Sequence, residues 1–415
     1  MSGHSEEPSR QLPESPDLRH LKDQAKDLFK AGQAESLARA QFQIARQYGF
    51  ASWAKLKAHV DSLQLAGQLK LAIDADDLEQ VQRLMTLHPE LHTAQLGASK
   101  CLPLTCVATG RVPPSEARLA MARWMIENGS DIHQGNDAPL MASVGWDRTL
   151  PMTELLVAHG ADVNAIDHET YPVILFPLEL FAPRTLKYLI DHGADLHAAA
   201  RYCCPIEMLT CIYTRRPQDK AACLEIVGAA GFALPETPVM ALHRSRLDLL
   251  QEHLDRDPSL LERRFTYGEV FYKHDGTPGA AYPATPVSGG TLLHLAIEFD
   301  DIDVARWLIE RGADVNARAA IDADGFQGHT PLFHTVVNLA VGMGLSDDSK
   351  ARLLLDQGAD PNARATFLPD ARFHDEAPAA PFHDVTPVGY ARRYPDRRLV
   401  NAPGLAAIIE RGGTE

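Results

Sequence analysis

The stretch LIERGADVNAR, residues 308–318, decides how this chain folds. Nearly the same letters return as LVAHGADVNAI (156–166), LIDHGADLHAA (189–199) and LLDQGADPNAR (354–364), with a fainter copy, MIENGSDIHQG, at 125–135. The apolar residues before each Gly read as the last turns of a helix. The Gly stands where the chain leaves that helix through a left-handed conformation, which costs glycine almost nothing. The Asp or Asn behind it suits a tight turn, and a lone aliphatic (Val163, Leu196, Val315) is placed to tuck beneath.

A second phrase follows each copy, a Pro before an aliphatic residue: LPL (102–104), APL (138–140), YPV (171–173), CPI (204–206), TPV (237–239), TPL (330–332) and TPV (386–388). Proline suits the first position of a helix, where its missing N–H is no loss. A Thr before it caps free N–H groups. Pro139, Pro172, Pro205 and Pro238 are spaced by 33 residues each, and the register continues through Leu292, Pro331 and Pro387.

A 33-residue unit with a T-P-L-H-like opening and a G-A-D-V-N turn resembles the ankyrin repeat. GGTLLHLAIEFDDIDVARWLIERGADVNAR (289–318) matches that pattern along nearly the whole unit. The resemblance implies an all-α solenoid of about nine helix-turn-helix units over residues 67–414. Each helix pair cannot bury its own apolar stripe and must stack on its neighbours. His294 alone holds the family's T-P-L-H histidine position, where a structural role is implied. Thr105, Met141, Ile174, Glu207 and Phe333 depart from the pattern.

Ahead of the array, residues 15–66 read as a three-helix module, with Ser15-Pro16 and Ser52 as helix starts and Leu18, Leu21, Leu28 and Phe29 inward. The run IARQYGFASWAKLKAHV (44–60) resembles a helical leader of bacterial ankyrin proteins, which implies a bacterial source. Such a module is expected to cap the exposed end of a stack. Residues 1–14 are expected to form a disordered tail.

Composition narrows the function. The formal charge of −15 opposes a broad phosphate-binding surface, and the basic pairs (Arg215-Arg216 among them) are expected to be solvated faces. No nucleic-acid partner is expected. No apolar run is long enough for a bilayer, so no membrane partner is expected, and a cytoplasmic location is expected. The six cysteines contain no C-x-x-C pair and are expected to stay reduced as small apolar side chains. No phosphate-loop, dinucleotide, zinc-protease or nucleophile-elbow signature is present, so neither an enzyme nor a cofactor is expected.

Departures from the 33-residue ruler mark the candidate site. The intervals Pro238–Leu292, Leu292–Pro331 and Pro331–Pro387 are 54, 39 and 56 residues. The excess enlarges three successive finger loops, 265–287, 319–328 and 365–384, and lengthens a turn at 341–348. These fingers are expected to converge on one side. Their aromatics (Tyr267, Phe271, Tyr272, Tyr282, Phe326, Phe367, Phe373 and Phe382) are the predicted contacts for another protein, since such residues are enriched at interface centres. The competing reading packs these rings within the loops themselves. Two alternatives stand beside a noncatalytic binding scaffold. One is a bacterial effector acting on a host protein. The other is metal-dependent chemistry at the His-Asp steps 274–275, 374–375 and 383–384.

Overall fold

The computed structural model describes residues 10–13, 16–167, 170–212, 214–272, 283, 285–342, 344–368 and 381–415. The described structure is mainly helical, with two short antiparallel hairpins that an all-α expectation omits. These are β1 (Ile166–Asp167) with β2 (Tyr171–Pro172), and β3 (Ala365–Phe367) with β4 (Phe382–Val385). The chain divides into two compact units, one of residues 1–143 and 151–162, the other of residues 144–150 and 163–415.

The first unit opens with α1 (Leu18–Lys30), α2 (Leu37–Gln47) and α3 (Trp53–Asp74), which share a core of Leu21, Ala25, Ala40, Ile44, Leu56 and Val60. Asp17 caps α1, accepting from the Arg19 N–H at 2.7 Å, and Ser52 caps α3 as expected. Phe29 is 45% exposed rather than inward. Part of the expected tail is seated: the Arg10 N–H donates to the Gln47 carbonyl at 3.0 Å, and Leu12 packs on the core. Residues 1–9, 14 and the expected cap Ser15 lie outside the described residues.

The boundary expected at 66/67 falls inside α3, which is one uninterrupted helix. Its first half buries Leu56 and Val60 against the three-helix core, and its second half buries Leu69 and Ile73 farther along. The rest of this unit contains α4 (Leu78–Leu87), α5 (Pro103–Ala108), α6 (Glu116–Glu127), α7 (Gln134–Ser143) and most of α8 (Leu150–Ala158). Cys101 and Cys106 form a disulfide at the start of α5, which replaces the expectation of reduced cysteines for this pair.

The second unit repeats a two-helix plan. Its pairs include α9 (Leu175–Glu179) with α10 (Pro183–Asp191); the short α11 (Leu196–Ala199) follows. Next come α12 (Pro205–Cys211) with α13 (Pro217–Ala229), and α14 (Pro238–His243) with α15 (Leu247–Arg256). A single turn, α16 (Tyr267–Val270), precedes α17 (Leu292–Glu298) with α18 (Ile302–Glu310). A 3-10 turn at Pro331–Thr335 and α19 (Leu339–Gly342) face α20 (Ser349–Asp356), and α21 (Pro387–Arg393) with α22 (Ala402–Glu410) closes the series.

Proline opens helices or turns at 103, 205, 238, 331 and 387. Thr237 and Thr386 cap two of them through their hydroxyls, at 3.1 and 3.0 Å. Pro172 departs from the rule: it lies in β2, and the helix begins only at Leu175. A proline tolerates a two-residue edge strand because the ladder there needs no N–H from it.

The glycine turns behave as their letters predict. Gly160, Gly193, Gly312 and Gly358 all have positive φ, and Val163, Leu196 and Val315 are buried below. The Asn of the phrase does more than turn. Asn316 donates to the Gly358 carbonyl at 3.0 Å and accepts from the Asp360 N–H at 2.7 Å. Asn164 bonds Gly193 and Asp195 in the same way, and Asn362 bonds Gly412 and Thr414. In these three cases one side chain fixes a turn to its successor.

Candidate functional site

The three enlarged fingers of the second unit stand side by side because backbone and arginine bonds tie each to the next. The Ala320 N–H donates to the carbonyl of Gly289, just past the first finger, at 2.8 Å, joining its base to the second. Gln327 and Thr366 form an isolated bridge that joins the second to the third. Beneath them runs a ladder of arginines. Arg264 Nε donates to the Arg318 carbonyl at 2.7 Å, and Arg318 donates to the Arg364 carbonyl at 2.7 Å. Arg364 then donates to the carbonyl and carboxylate of Asp384. Guanidinium suits this role because its planar fork serves several carbonyls at once.

Three of the six predicted finger aromatics among the described residues turn inward. Phe271, Phe367 and Phe382 are buried in the hydrophobic core, as is Phe265. Phe367 and Phe382 pack at 4.8 and 4.9 Å from the Tyr390 ring, and Phe333 lies 5.6 Å from Phe367. Burial leaves those three rings no face for a partner, so the reading of Phe271, Phe367 and Phe382 as contact residues gives way to one of packing. Tyr267, Tyr272 and Phe326 are half-buried and keep part of their rings at the surface. Tyr282 and Phe373 lie outside the described residues.

Sequence reasoning centred on aromatics passed over the aliphatic side chains that are exposed. Ile321 on the second finger is 67% exposed and Leu368 on the third 38%. Leu345, in the lengthened turn, is 43% exposed. An aliphatic residue inside an inserted, otherwise polar loop is the signal that could have found them.

Between the first finger and the α14–α15 pair lies a cavity of about 560 Å³, lined among others by Thr237, Met240, His253, Arg263, Glu269 and Tyr272. Arg263 and Glu269 form an ion pair at 2.6 Å at its rim. The volume lies in the range of small-ligand pockets.

Deeper in the same unit is a buried charged network. Arg215, 2% exposed, donates to the Glu298 carboxylate at 3.3 Å and to its carbonyl at 3.1 Å. The other Glu298 oxygen meets His334 Nδ1 at 2.8 Å. Arg215 is thus part of the interior, not a solvated face. Lys220 Nζ lies 2.9 Å from His243 Nδ1, and burial, aided by the Arg215 charge, pushes its pKa down to about 7. Burial also holds His243 well below the ordinary histidine range.

His294 sits in a capping box with Thr291, with its Nε2 3.1 Å from the His329 carbonyl. Burial lowers its pKa to about 3. With Nδ1 accepting from the Thr291 N–H and Nε2 donating to His329, neither nitrogen is left for a metal, although the rings of His329 and His334 lie within 6 Å of it. Among the described residues no group of three or more His, Cys, Asp and Glu is placed to hold a metal ion. Of the His-Asp steps, 274–275 and 374–375 lie outside the described residues; Asp384 is engaged by Arg364, and His383 is exposed. No helix among the described residues is long and apolar enough to cross a membrane.

Paired helices, glycine turns at one offset and side chains bonding each turn to the next define a helix-pair repeat protein. The family model of the ankyrin repeat matches residues 288–320, the span of α17, α18 and the LIERGADVNAR turn. The chain therefore carries an ankyrin repeat at residues 288–320. No curated protein matches it.

Proposed function

We propose that this protein is a noncatalytic scaffold that captures another protein on the row of enlarged fingers. The observation that carries the reading is a set of exposed aliphatic side chains, Ile321 and Leu368, on fingers bonded side by side. Half-buried Phe326 adds ring surface on the second finger. Apolar groups held on a braced row lose little freedom on binding, which favours a specific complex. Ankyrin repeats typically bind other proteins, and the fold analogy supports the same class here.

The same reading extends the 33-residue unit to nine copies over residues 67–414, stacked as a solenoid with the three-helix module capping its first end. The asparagine links at Asn164, Asn316 and Asn362 support that extension, since each joins a turn to its successor. The test compares affinity capture from the native cell by the intact chain and by the Ile321→Asp/Leu368→Asp double variant. Loss of a specific protein from the variant, with unchanged thermal unfolding, is the expected result. Identical capture by both would refute the fingers as the docking surface.

A further inference from the structure

In the first unit, residues 96–101 form a tight turn ahead of α5. Leu96 and Cys101 face each other in an isolated antiparallel bridge, the Leu96 N–H donating to the Cys101 carbonyl at 2.9 Å. Inside it the Lys100 N–H donates to the Gly97 carbonyl at 3.2 Å. Gly97 and Lys100 both have positive φ, 63° and 52°. Glycine takes that conformation freely, whereas lysine does so at a cost. Residues 97–100 are all exposed, so burial does not hold the turn. Its ends are anchored instead: Leu96 is buried, and Cys101 is joined to Cys106 on α5 by the disulfide. Cys101 is half-buried, while Cys106 is 8% exposed.

We propose that Cys101 and Cys106 are a site of reversible thiol oxidation, at which small thiols and disulfides of the glutathione class set whether this turn is pinned to α5. Three observations lead there. First, the two cysteines are five positions apart, and a cross-link that closes so short a loop stabilises a fold least. Second, the two sulfurs differ in access. Cys101 borders an exposed turn, where a small thiolate can reach it, and Cys106 lies back in the helix as the leaving sulfur. Third, the bond holds a turn that contains a lysine in a left-handed conformation, so its release lets the backbone relax. The chemistry balances in two steps. A glutathione thiolate attacks Cys101 Sγ; the new S–S bond forms as the Cys101–Cys106 bond breaks, and the electron pair leaves on Cys106 Sγ, which takes a proton. A second glutathione thiolate attacks the glutathione sulfur of that mixed disulfide, freeing the Cys101 thiol and releasing glutathione disulfide. Two electrons pass from two glutathiones to the cysteine pair, and glutathione disulfide reverses both steps.

The test uses the full-length chain without denaturant and does not depend on the finger reading, which concerns the second unit. The protein is equilibrated with millimolar mixtures of glutathione and its disulfide, alkylated with N-ethylmaleimide and digested, so that each cysteine is read by mass. Cys101 and Cys106 are expected to become labelled together, by at least half, as the mixture turns reducing, and to be blocked again when it turns oxidising. Cys223, fully buried in α13, reports on general unfolding and is expected to stay unlabelled throughout. Amide exchange over 96–101 is expected to be at least fivefold faster in the reduced protein, with α2 unchanged. A Cys101→Ser/Cys106→Ser variant is expected to exchange like the reduced protein in both mixtures. A bond that glutathione opens only as Cys223 becomes labelled is a fixed staple and overturns the proposal. So do thiols that stay reduced in glutathione disulfide, and a reduced protein whose exchange over 96–101 is unchanged or rises equally with that of α2.

Discussion

Asn316 shows how one amide can justify a letter of a repeated phrase. Its carboxamide is both donor and acceptor, and the structure uses the two ends on the carbonyl of Gly358 and the N–H of Asp360. Alanine would leave both backbone groups to water at an exposed site, so Asn316→Ala should cost about 1 kcal/mol, read as a lowered urea midpoint. Aspartate can accept but not donate and would set a carboxylate against the Gly358 carbonyl, so Asn316→Asp should cost more. Equal midpoints for wild type and both variants would show that the link carries no stability. Lys220 makes a second prediction at this scale. Its amine faces His243, Arg215 and Asp301 in a dry site, and its pKa falls from the ordinary 10.5 to about 7. Between those values the unfolded chain binds the extra proton, so folding stability rises with pH over that window, by up to about 1.4 kcal/mol per pH unit. Below pH 7 the penalty is constant. In Lys220→Met that rise should vanish, which urea titrations at pH 7.5 and 9 can measure.

Helix α3 carries the lesson of the element scale. Its letters contain a glycine, Gly67, at the point where a module was expected to hand over to an array, and a glycine there reads naturally as a break. The helix runs straight through it. Two half-helices, each with its own apolar face, are joined because both halves find something to bury against, and tertiary burial outweighs the roughly 1 kcal/mol cost of a helical glycine. Gly67 has an ordinary negative φ and open space where a Cβ would stand. Gly67→Ala should therefore stabilise the protein by about 0.5–1 kcal/mol, seen as a rise in Tm. A fall would mean that the helix bends or breaks at this residue in solution. The finger hairpin β3–β4 is a second case. Its strands were hidden because Ala365–Phe367 and Phe382–Val385 are separated by a long insertion, and strand pairing across such a gap has no local signal.

At the scale of the second unit, the fingers act as packing and as surface together. Trimming residues 265–287 would remove Phe265 and Phe271 from the core, so that variant should lose stability, contrary to the behaviour of a free loop. The exposed aliphatics separate the two roles. Ile321 and Leu368 stand outside the buried core, so Ile321→Asp and Leu368→Asp should shift Tm by no more than a degree or two, while each weakens partner capture at least fivefold. A stability loss equal to that of a core variant would place these residues in packing instead.

The sequence alone determined the repeat period, the helix pairs, the glycine turns with their buried aliphatic plugs, and which loops are enlarged. These are local: period, proline position and left-handed glycine act within a few residues, so the letters carry them directly. Tertiary structure alone decided that Phe271, Phe367 and Phe382 turn inward and Ile321 outward. It also decided that Arg215 meets Glu298, 83 positions further along the chain, and that the first finger lies over its own helices. Those outcomes depend on which surfaces meet after stacking, and burial at a distance leaves no periodicity in the chain.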